Sequence, residues 1–226
     1  PHSTLVKLKA GIEAAGFAFE DIKHVFLSHI HLDHAGCAWV FSQHGARIYL
    51  HPFGKRHMAN PEKLLASAKM IYQDQMDRLW GTLKPIPEDL LQVVEDREVI
   101  KIGKTRFRAL YTPGHAVHHI AWQMGDVLFS GDVAGVKIGD GIVVPPCPPP
   151  DIHIGDWKRS IKLIRDKRFD ALYLTHFGRV ENVKDHLREL QGRLVNWANW
   201  IKPYWEQGVD QKDVVPQFQD YVEKQL

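Results

Sequence analysis

The sequence has little cysteine, no long apolar run and no surplus of one charge. Only Cys37 and Cys147 occur among 226 residues, which excludes a disulfide-stapled scaffold and is typical of a reducing compartment. No apolar segment approaches the roughly 20 residues that a bilayer-spanning helix needs. The formal net charge of +2 arises from 29 Lys and Arg against 27 Asp and Glu, without a basic block suited to nucleic acid. We therefore expect a cytoplasmic globular protein with neither a membrane nor a nucleic-acid partner.

Histidine and aspartate, in contrast, are concentrated in residues 28–34, which read Ser-His-Ile-His-Leu-Asp-His. The apolar run just before them predicts a short buried strand that ends where this cluster begins. Side chains alternate in an extended segment, so His29 and His31 point the same way and can share one metal ion. Asp33 and His34 follow at the turn and can face a second ion. Four candidate ligands exceed the three that a catalytic zinc usually takes from protein, which indicates two metals.

Three later stretches also end predicted strands in histidine or aspartate. His115 follows Thr-Pro-Gly, Asp132 ends Ser-Gly-Asp, and His176 precedes Phe-Gly. Each motif is weak alone, but strand exits are where sites form in open α/β sheets. Two neighbouring histidines, His118 and His119, are candidates for fixing the tautomers of metal ligands, with simple packing or exposure as the alternative explanation.

With these residues in this order, the chain resembles the metallo-beta-lactamase superfamily over roughly residues 25–178. The resemblance implies an αββα sandwich carrying a dinuclear metal centre, with zinc as the first expectation and iron or manganese as alternatives. It implies a first metal held by His29, His31 and His115, a second held by Asp33, His34 and His176, and Asp132 bridging the two.

The chain also departs from that family's pattern. Relatives of this layout normally place several strands before the first helix, whereas this chain opens directly with a predicted helix. Losing those strands would leave an exposed sheet edge, so we expect them to exist outside the given chain. Cys37 stands where many relatives have glycine and is interpreted as a small buried side chain. Neither Cys37 nor Cys147 is expected to bind metal, which argues against the true beta-lactamases that use a cysteine ligand.

We expect residues 1–226 to form a single domain with a helical insertion or lid at 60–84. Apolar residues recur at helical spacing from 60 to 80. This stripe either faces the core or forms a lid in which Tyr72, Met76 and Trp80 touch substrate.

The second half of the chain contains a loop and several predicted helices. Residues 135–150 are rich in Gly and Pro, and we expect an irregular loop that forms a pocket wall. Asp156 is predicted to cap a helix that ends near residue 167. Helices are also expected at 182–206 and 217–224, within a helical C-terminal region at 180–226. The tryptophans of that region belong either to the core or to a homodimer face.

The leading functional hypothesis is a hydrolase of a small-molecule ester, lactone or thioester. A hydroxide bridging two metal ions about 3.5–4 Å apart would attack the carbonyl. Asp33 is the candidate catalytic residue, because one oxygen can bind metal while the other orients the hydroxide or carries a proton. The ligand order is shared with glyoxalase-II-like thioesterases and lactonases. The alternatives are an iron-dependent oxidoreductase of the persulfide-dioxygenase type and a phosphoester or RNA hydrolase.

Overall fold

The computed structural model describes residues 1–148 and 150–225. The contacts between Cα atoms divide the chain into two units. The first unit contains Pro1–Ile100 and Arg108–Tyr111, and the second contains Lys101–Phe107 and Thr112–Leu226. Both units combine helices with a sheet, so the predicted α/β fold class is confirmed. The expectation of one domain over residues 1–226 stays a prediction.

The first unit is built on a three-stranded parallel sheet with the order β1-β2-β3. The strands are β1 (His24–Phe26), β2 (Arg47–Leu50) and β3 (Leu91–Val93), and the helices are α1 (Leu5–Ala14), α2 (Leu32–Ala35), α3 (Ala38–Gln43), α4 (Pro52–Ala59), α5 (Glu62–Tyr72) and α6 (Met76–Leu79). The middle strand is the most buried because it pairs on both sides, and Ile48 and Leu50 are almost fully enclosed. Residues 28–34 follow β1 in the chain and continue into α2.

The predicted helix from 60 to 80 is interrupted in the structure. α5 ends at Tyr72, and a 3-10 turn at Gln73–Gln75 separates it from α6. Gln73 has φ of +46°, a backbone conformation that does not continue a right-handed helix. Tyr72, Met76 and Trp80 all pack against the core of the first unit. The three side chains therefore face the core, which is the first of the two predicted alternatives. A contact between them and substrate stays a prediction.

The second unit contains a six-stranded sheet with the order β11-β10-β7-β6-β5-β4 and a two-stranded ribbon, β8-β9. The strands are β4 (Val99–Ile102), β5 (Thr105–Tyr111), β6 (Ile120–Met124), β7 (Val127–Gly131), β8 (Val136–Lys137), β9 (Val143–Val144), β10 (Ala171–Leu174) and β11 (Gly178–Val180), and the helices are α7 (Ile154–Lys167), α8 (Val183–Glu206) and α9 (Gln211–Glu223). β4 and β5 contribute residues to both units.

The pairing of β7 with β10 determines where two predicted ligands emerge. These strands are parallel, and Gly131 at the end of β7 lies opposite Leu174 at the end of β10. The carboxyl ends of parallel strands meet at one edge of a sheet. Asp132 and His176, which follow the two strands, therefore leave the sheet at the same edge.

Several helix and loop boundaries differ from the sequence-based expectations. α7 is capped by His153, whose Nδ1 accepts the Asp156 N–H, so the prediction of Asp156 as the cap is wrong. The segment 135–150 is not irregular throughout, because it contains β8 and β9. α9 begins at Gln211 rather than near 217, because Asp210 accepts the Lys212 N–H and starts the helix earlier.

α4 was not predicted from the sequence. Proline is well suited to the first position of a helix, and the His51 side chain caps the helix by accepting the Phe53 N–H. Within the described residues, no helix combines the length and apolar character needed to cross a bilayer.

Candidate metal centre

The first ligand group consists of His29, His31, Asp33 and His34. The first two follow β1, and the last two lie in α2. His29 is buried, and its Nε2 lies 2.9 Å from Nδ1 of His31. Nε2 of His34 lies 3.3 Å from Oδ2 of Asp33. The imidazole rings of His29 and His34 are 3.9 Å apart between centroids. The four side chains thus form one compact cluster within the first unit.

The hydroxyl of Ser28 orients two of these rings. Its Oγ lies 3.1 Å from Nδ1 of His29 and 3.1 Å from Nδ1 of His34. A hydroxyl oxygen has two lone pairs and can accept both N–H groups. With the protons on Nδ1, the Nε2 atoms of both histidines have lone pairs that can bind metal.

The second ligand group consists of His115, Asp132 and His176, which come from three separate segments of the second unit. Oδ2 of Asp132 lies 3.4 Å from Nε2 of His115, and Oδ1 lies 3.6 Å from Nε2 of His176. His115 and Asp132 are buried, whereas about a third of the His176 side chain is exposed. Each oxygen of the Asp132 carboxylate therefore lies close to a different imidazole.

The carbonyl group of Pro146 fixes the tautomer of His115. Its Nδ1 lies 2.9 Å from the carbonyl oxygen of Pro146, which can only accept a hydrogen bond. Nδ1 therefore carries the proton, and Nε2 presents its lone pair toward the Asp132 side. Gly114 makes this geometry possible: its φ is +133°, and an added Cβ would lie 2.3 Å from Cα of Trp157. We conclude that only glycine fits before His115.

The donor atoms of both groups fit a transition metal. Imidazole nitrogen and carboxylate oxygen are suitable donors for zinc, iron and manganese. Ligand atoms about 2.0–2.1 Å from a tetrahedral zinc lie roughly 3.3 Å from one another. The separations within the two groups run from 2.9 Å for His29–His31 to 3.6 Å for His176–Asp132. Both groups are consequently spaced as metal ligands would be.

The two candidate tautomer-fixing histidines occupy different surroundings. His119 is fully buried; its Nδ1 lies 2.8 Å from the Thr112 hydroxyl, and its Nε2 accepts the backbone N–H of Asp132. His118 is also buried, with its Nε2 4.0 Å from Oδ2 of Asp151. His119 thus contacts the segment that carries a predicted ligand.

Trp157 and His186 are two residues near this site that sequence reasoning missed. Trp157 Nε1 donates to the carbonyl of Val133, and His186 Nε2 bonds that of Ala134. Both lie on helices remote in sequence from Asp132, so no local spacing could have identified them. Cys37 is buried, as expected, and its thiol donates to the Pro1 carbonyl, whereas Cys147 is exposed. The absence of a metal-binding role for either cysteine stays a prediction.

Known proteins share both the sequence pattern and the fold. A family model described as the metallo-beta-lactamase superfamily matches residues 3–213. A metallo-beta-lactamase fold-containing protein of Sulfurisphaera tokodaii is 32% identical over 168 residues, covering 70% of this chain and 64% of the relative. A hydroxyacylglutathione hydrolase of Francisella tularensis subsp. novicida is 28% identical over 144 residues, covering 52% of this chain and 54% of that enzyme.

Solved structures agree with these matches. A metallo-beta-lactamase family protein from Thermus thermophilus superposes with a TM-score of 0.71 at 25% identity, covering 86% of this chain and 67% of that protein. An archaeal superfamily protein from Sulfolobus tokodaii superposes with a TM-score of 0.66 at 30% identity, covering 74% and 68%. The chain spans about two-thirds or less of the length of the two curated relatives above. The family match nevertheless extends over nearly the whole chain, and this chain belongs to the metallo-beta-lactamase superfamily.

Proposed function

We propose that this chain is a metal-dependent hydrolase that cleaves an ester, lactone or thioester of a small molecule. The single observation that carries the proposal is the Asp132 carboxylate, which directs one oxygen toward His115 and the other toward His176. A carboxylate with each oxygen close to a different imidazole has the arrangement expected of a ligand that bridges two cations. Membership of a superfamily that consists mostly of metal-dependent hydrolases supports the same conclusion.

The seven predicted ligands are proposed to hold two divalent ions, with zinc favoured over iron or manganese. In this assignment His29, His31 and His115 would hold the first ion, Asp33, His34 and His176 would hold the second, and Asp132 would contribute to both. When bound, two such ions supply a hydroxide at neutral pH and polarise the carbonyl under attack. The chain therefore needs no serine or cysteine nucleophile.

Asp33 is proposed to handle the proton. One of its oxygens lies 3.3 Å from Nε2 of His34, and a third of its side chain is exposed. A partly exposed carboxylate can orient an attacking water and transfer its proton to the leaving group. Asp33 is therefore the residue that joins binding to catalysis in the proposed mechanism.

The proposed substrate class rests on the carbonyl chemistry and on one group of relatives. The likeness to hydroxyacylglutathione hydrolases, by name thioester-cleaving enzymes, supports a carbonyl substrate. We also propose that the substrate is a small molecule rather than a nucleic acid, that the protein is cytoplasmic and that it forms a homodimer. These proposals rest on its nearly balanced charge, its two cysteines and its tryptophan-rich C-terminal helices.

A substrate panel combined with metal analysis tests the proposed function. The panel contains lactones, aryl esters, S-lactoylglutathione and phosphotriesters, each assayed after loading with zinc or manganese. We expect metal-dependent turnover of at least one carbonyl substrate and two metal equivalents per chain. Asp132→Asn should abolish both, whereas Asp126→Asn, the same change at an exposed turn, should leave both intact.

Two results would overturn the proposal. Turnover of no carbonyl substrate with either metal would rule out this hydrolase. A single bound iron together with oxygen uptake would instead identify an iron-dependent oxidoreductase, since that reaction needs one redox-active ion rather than two Lewis acids.

A further inference from the structure

The turn that follows Asp132 is surrounded by buried ring nitrogens. β7 ends at Gly131, and Asp132–Ala134 form a single 3-10 turn that is fully buried. The turn closes on itself through a hydrogen bond from the Gly135 N–H to the Asp132 carbonyl. Its remaining polar backbone groups need other partners, because leaving a buried N–H or C=O unpaired is unfavourable.

Trp157 supplies the first of these partners. This side chain is 0% exposed, and its Nε1–H donates to the Val133 carbonyl over 2.7 Å. An indole nitrogen can only donate, so the direction of this bond is unambiguous. The same ring packs edge-on against the imidazole of His115, with centroids 5.6 Å apart. Trp157 thereby touches the turn of one predicted ligand and the side chain of another.

His186 of α8 supplies the second partner. It is buried, and its Nε2 lies 2.7 Å from the Ala134 carbonyl oxygen. A carbonyl can only accept, so Nε2 carries the proton and the imidazole is the donor. Helix α8 is thus joined directly to the end of the turn.

His119 supplies the third partner. The backbone N–H of Asp132 donates to Nε2 of His119 over 3.1 Å, so Nε2 has no proton. The proton is then on Nδ1, which lies 2.8 Å from the Thr112 hydroxyl oxygen. The neutral His119 ring therefore fixes the amide of Asp132 itself.

We propose that Trp157, His186 and His119 are positioning residues that hold Asp132 in the one backbone conformation from which its carboxylate reaches both His115 and His176. The inference rests on the proposed function, because it assigns these rings a purpose in metal binding. Gly131 and Gly135 flank the turn with φ of +57° and +77°, so the backbone on both sides is in a region that only glycine adopts readily. Such a turn has alternative conformations nearby, and three bonds to side chains from separate elements select one.

The test measures zinc affinity by competition with a chromophoric chelator, so it needs no substrate. The variants are Trp157→Phe, which removes the indole N–H together with part of the ring, His186→Leu, which removes the donor, and His186→Gln, which restores an amide donor. The control is Trp197→Phe, which removes an indole N–H that bonds Gln225 in the C-terminal helices. The unfolding temperature of each metal-free variant is recorded in parallel.

We expect Trp157→Phe and His186→Leu to weaken zinc binding about 10–100-fold, the range for outer partners of metal ligands. His186→Gln should recover most of the loss, and Trp197→Phe should bind zinc like the unmodified chain. If His186→Leu does not fold, the comparison of Trp157→Phe with Trp197→Phe decides alone.

Two outcomes overturn the inference in distinguishable ways. Variants that unfold at lower temperature but bind zinc normally would show that Trp157 and His186 stabilise the fold without positioning Asp132. An unmodified chain that binds no zinc and no manganese would overturn the proposed function together with this inference.

Discussion

The two ligand groups are assembled in different ways. The first takes four side chains from residues 28–34, where one strand end and one short helix place them side by side. The second takes His115, Asp132 and His176 from the ends of separate strands and turns, spread over some sixty positions. The Ser28 hydroxyl orients two rings of the first group, whereas the second group depends on buried contacts from distant helices.

This difference determines how each group responds to amino-acid substitutions. A contiguous group keeps its geometry as long as its local backbone does, because neighbouring residues cannot separate. A dispersed group keeps its geometry only while the packing between its segments is intact. We therefore expect the first group to be sensitive mainly to its own side chains, and the second to be sensitive also to residues that never touch the metal.

The largest expected effect comes from replacing the centre of the second group. Asp132→Ala removes the one side chain proposed to bind both ions, and it leaves His115 and His176 without their shared carboxylate. We expect turnover to fall by more than about 100-fold, beyond the usual cost of losing an outer partner, and neither ion to survive dialysis. Elemental analysis of the dialysed variant checks this. Retention of both ions would show that Asp132 does not bridge.

Asp33→Ala tests the first group, and this variant should lose less metal than Asp132→Ala. It removes one proposed ligand of the second ion, which is also the proposed proton carrier. His29 and His31, two proposed ligands of the first ion, remain in place. Retention of about one equivalent is expected, with turnover down about 100-fold. Kinetics together with metal content measure this, and full activity in the variant would contradict the proposed role of Asp33.

Ser28→Ala should have a smaller effect within the same group. The change removes the hydroxyl that contacts Nδ1 of His29 and of His34, but it leaves every ligand in place. Loss of an outer partner predicts metal affinity lower by about 10-fold. Ser28→Thr keeps a hydroxyl and is the matched control. Equal zinc affinity in Ser28→Ala and the unmodified chain would refute the orienting role.

The smallest expected effect is on stability in acid and concerns His186. Burial lowers the pKa of His186 below its ordinary 6.5, Lys137 lowers it further, and the Ala134 hydrogen bond and Glu189 oppose the shift. As the pH falls below about 6.5, the unfolded chain takes up a proton that the folded chain resists. This contribution to stability is therefore complete above about pH 6.5 and is lost as the pH falls toward the folded pKa.

Denaturant unfolding between about pH 7 and pH 5 measures this loss. His186→Gln does not titrate in this range, so its free energy of unfolding should fall less than that of the unmodified chain. His44→Gln, at an exposed histidine, is the control. An identical pH dependence in the His186→Gln variant and the unmodified chain would show that the buried imidazole does not resist protonation.

Much of the fold and of the candidate site was accessible from the sequence because the signals are local. The strand before residues 28–34, the strands that end at Gly131 and Leu174, and the helix from Val183 to Glu206 all follow from short hydrophobic periods and are present in the structure. The wrong predictions share another cause. The break at Gln73 and the early start of α9 at Gln211 depend on backbone and capping details that hydrophobic spacing does not encode.

By itself, the sequence determined the family, the fold class and the identity of seven candidate ligands, because a ligand must have a particular side chain and that chemistry is visible in the letters. Tertiary structure decided how the dispersed ligands are held. Trp157 and His186 are unremarkable in the sequence, and only the packing of α7 and α8 brings their ring nitrogens to the turn after Asp132. The physical reason is that a buried backbone group must find a hydrogen-bond partner wherever the fold supplies one, and that location is a property of the folded chain.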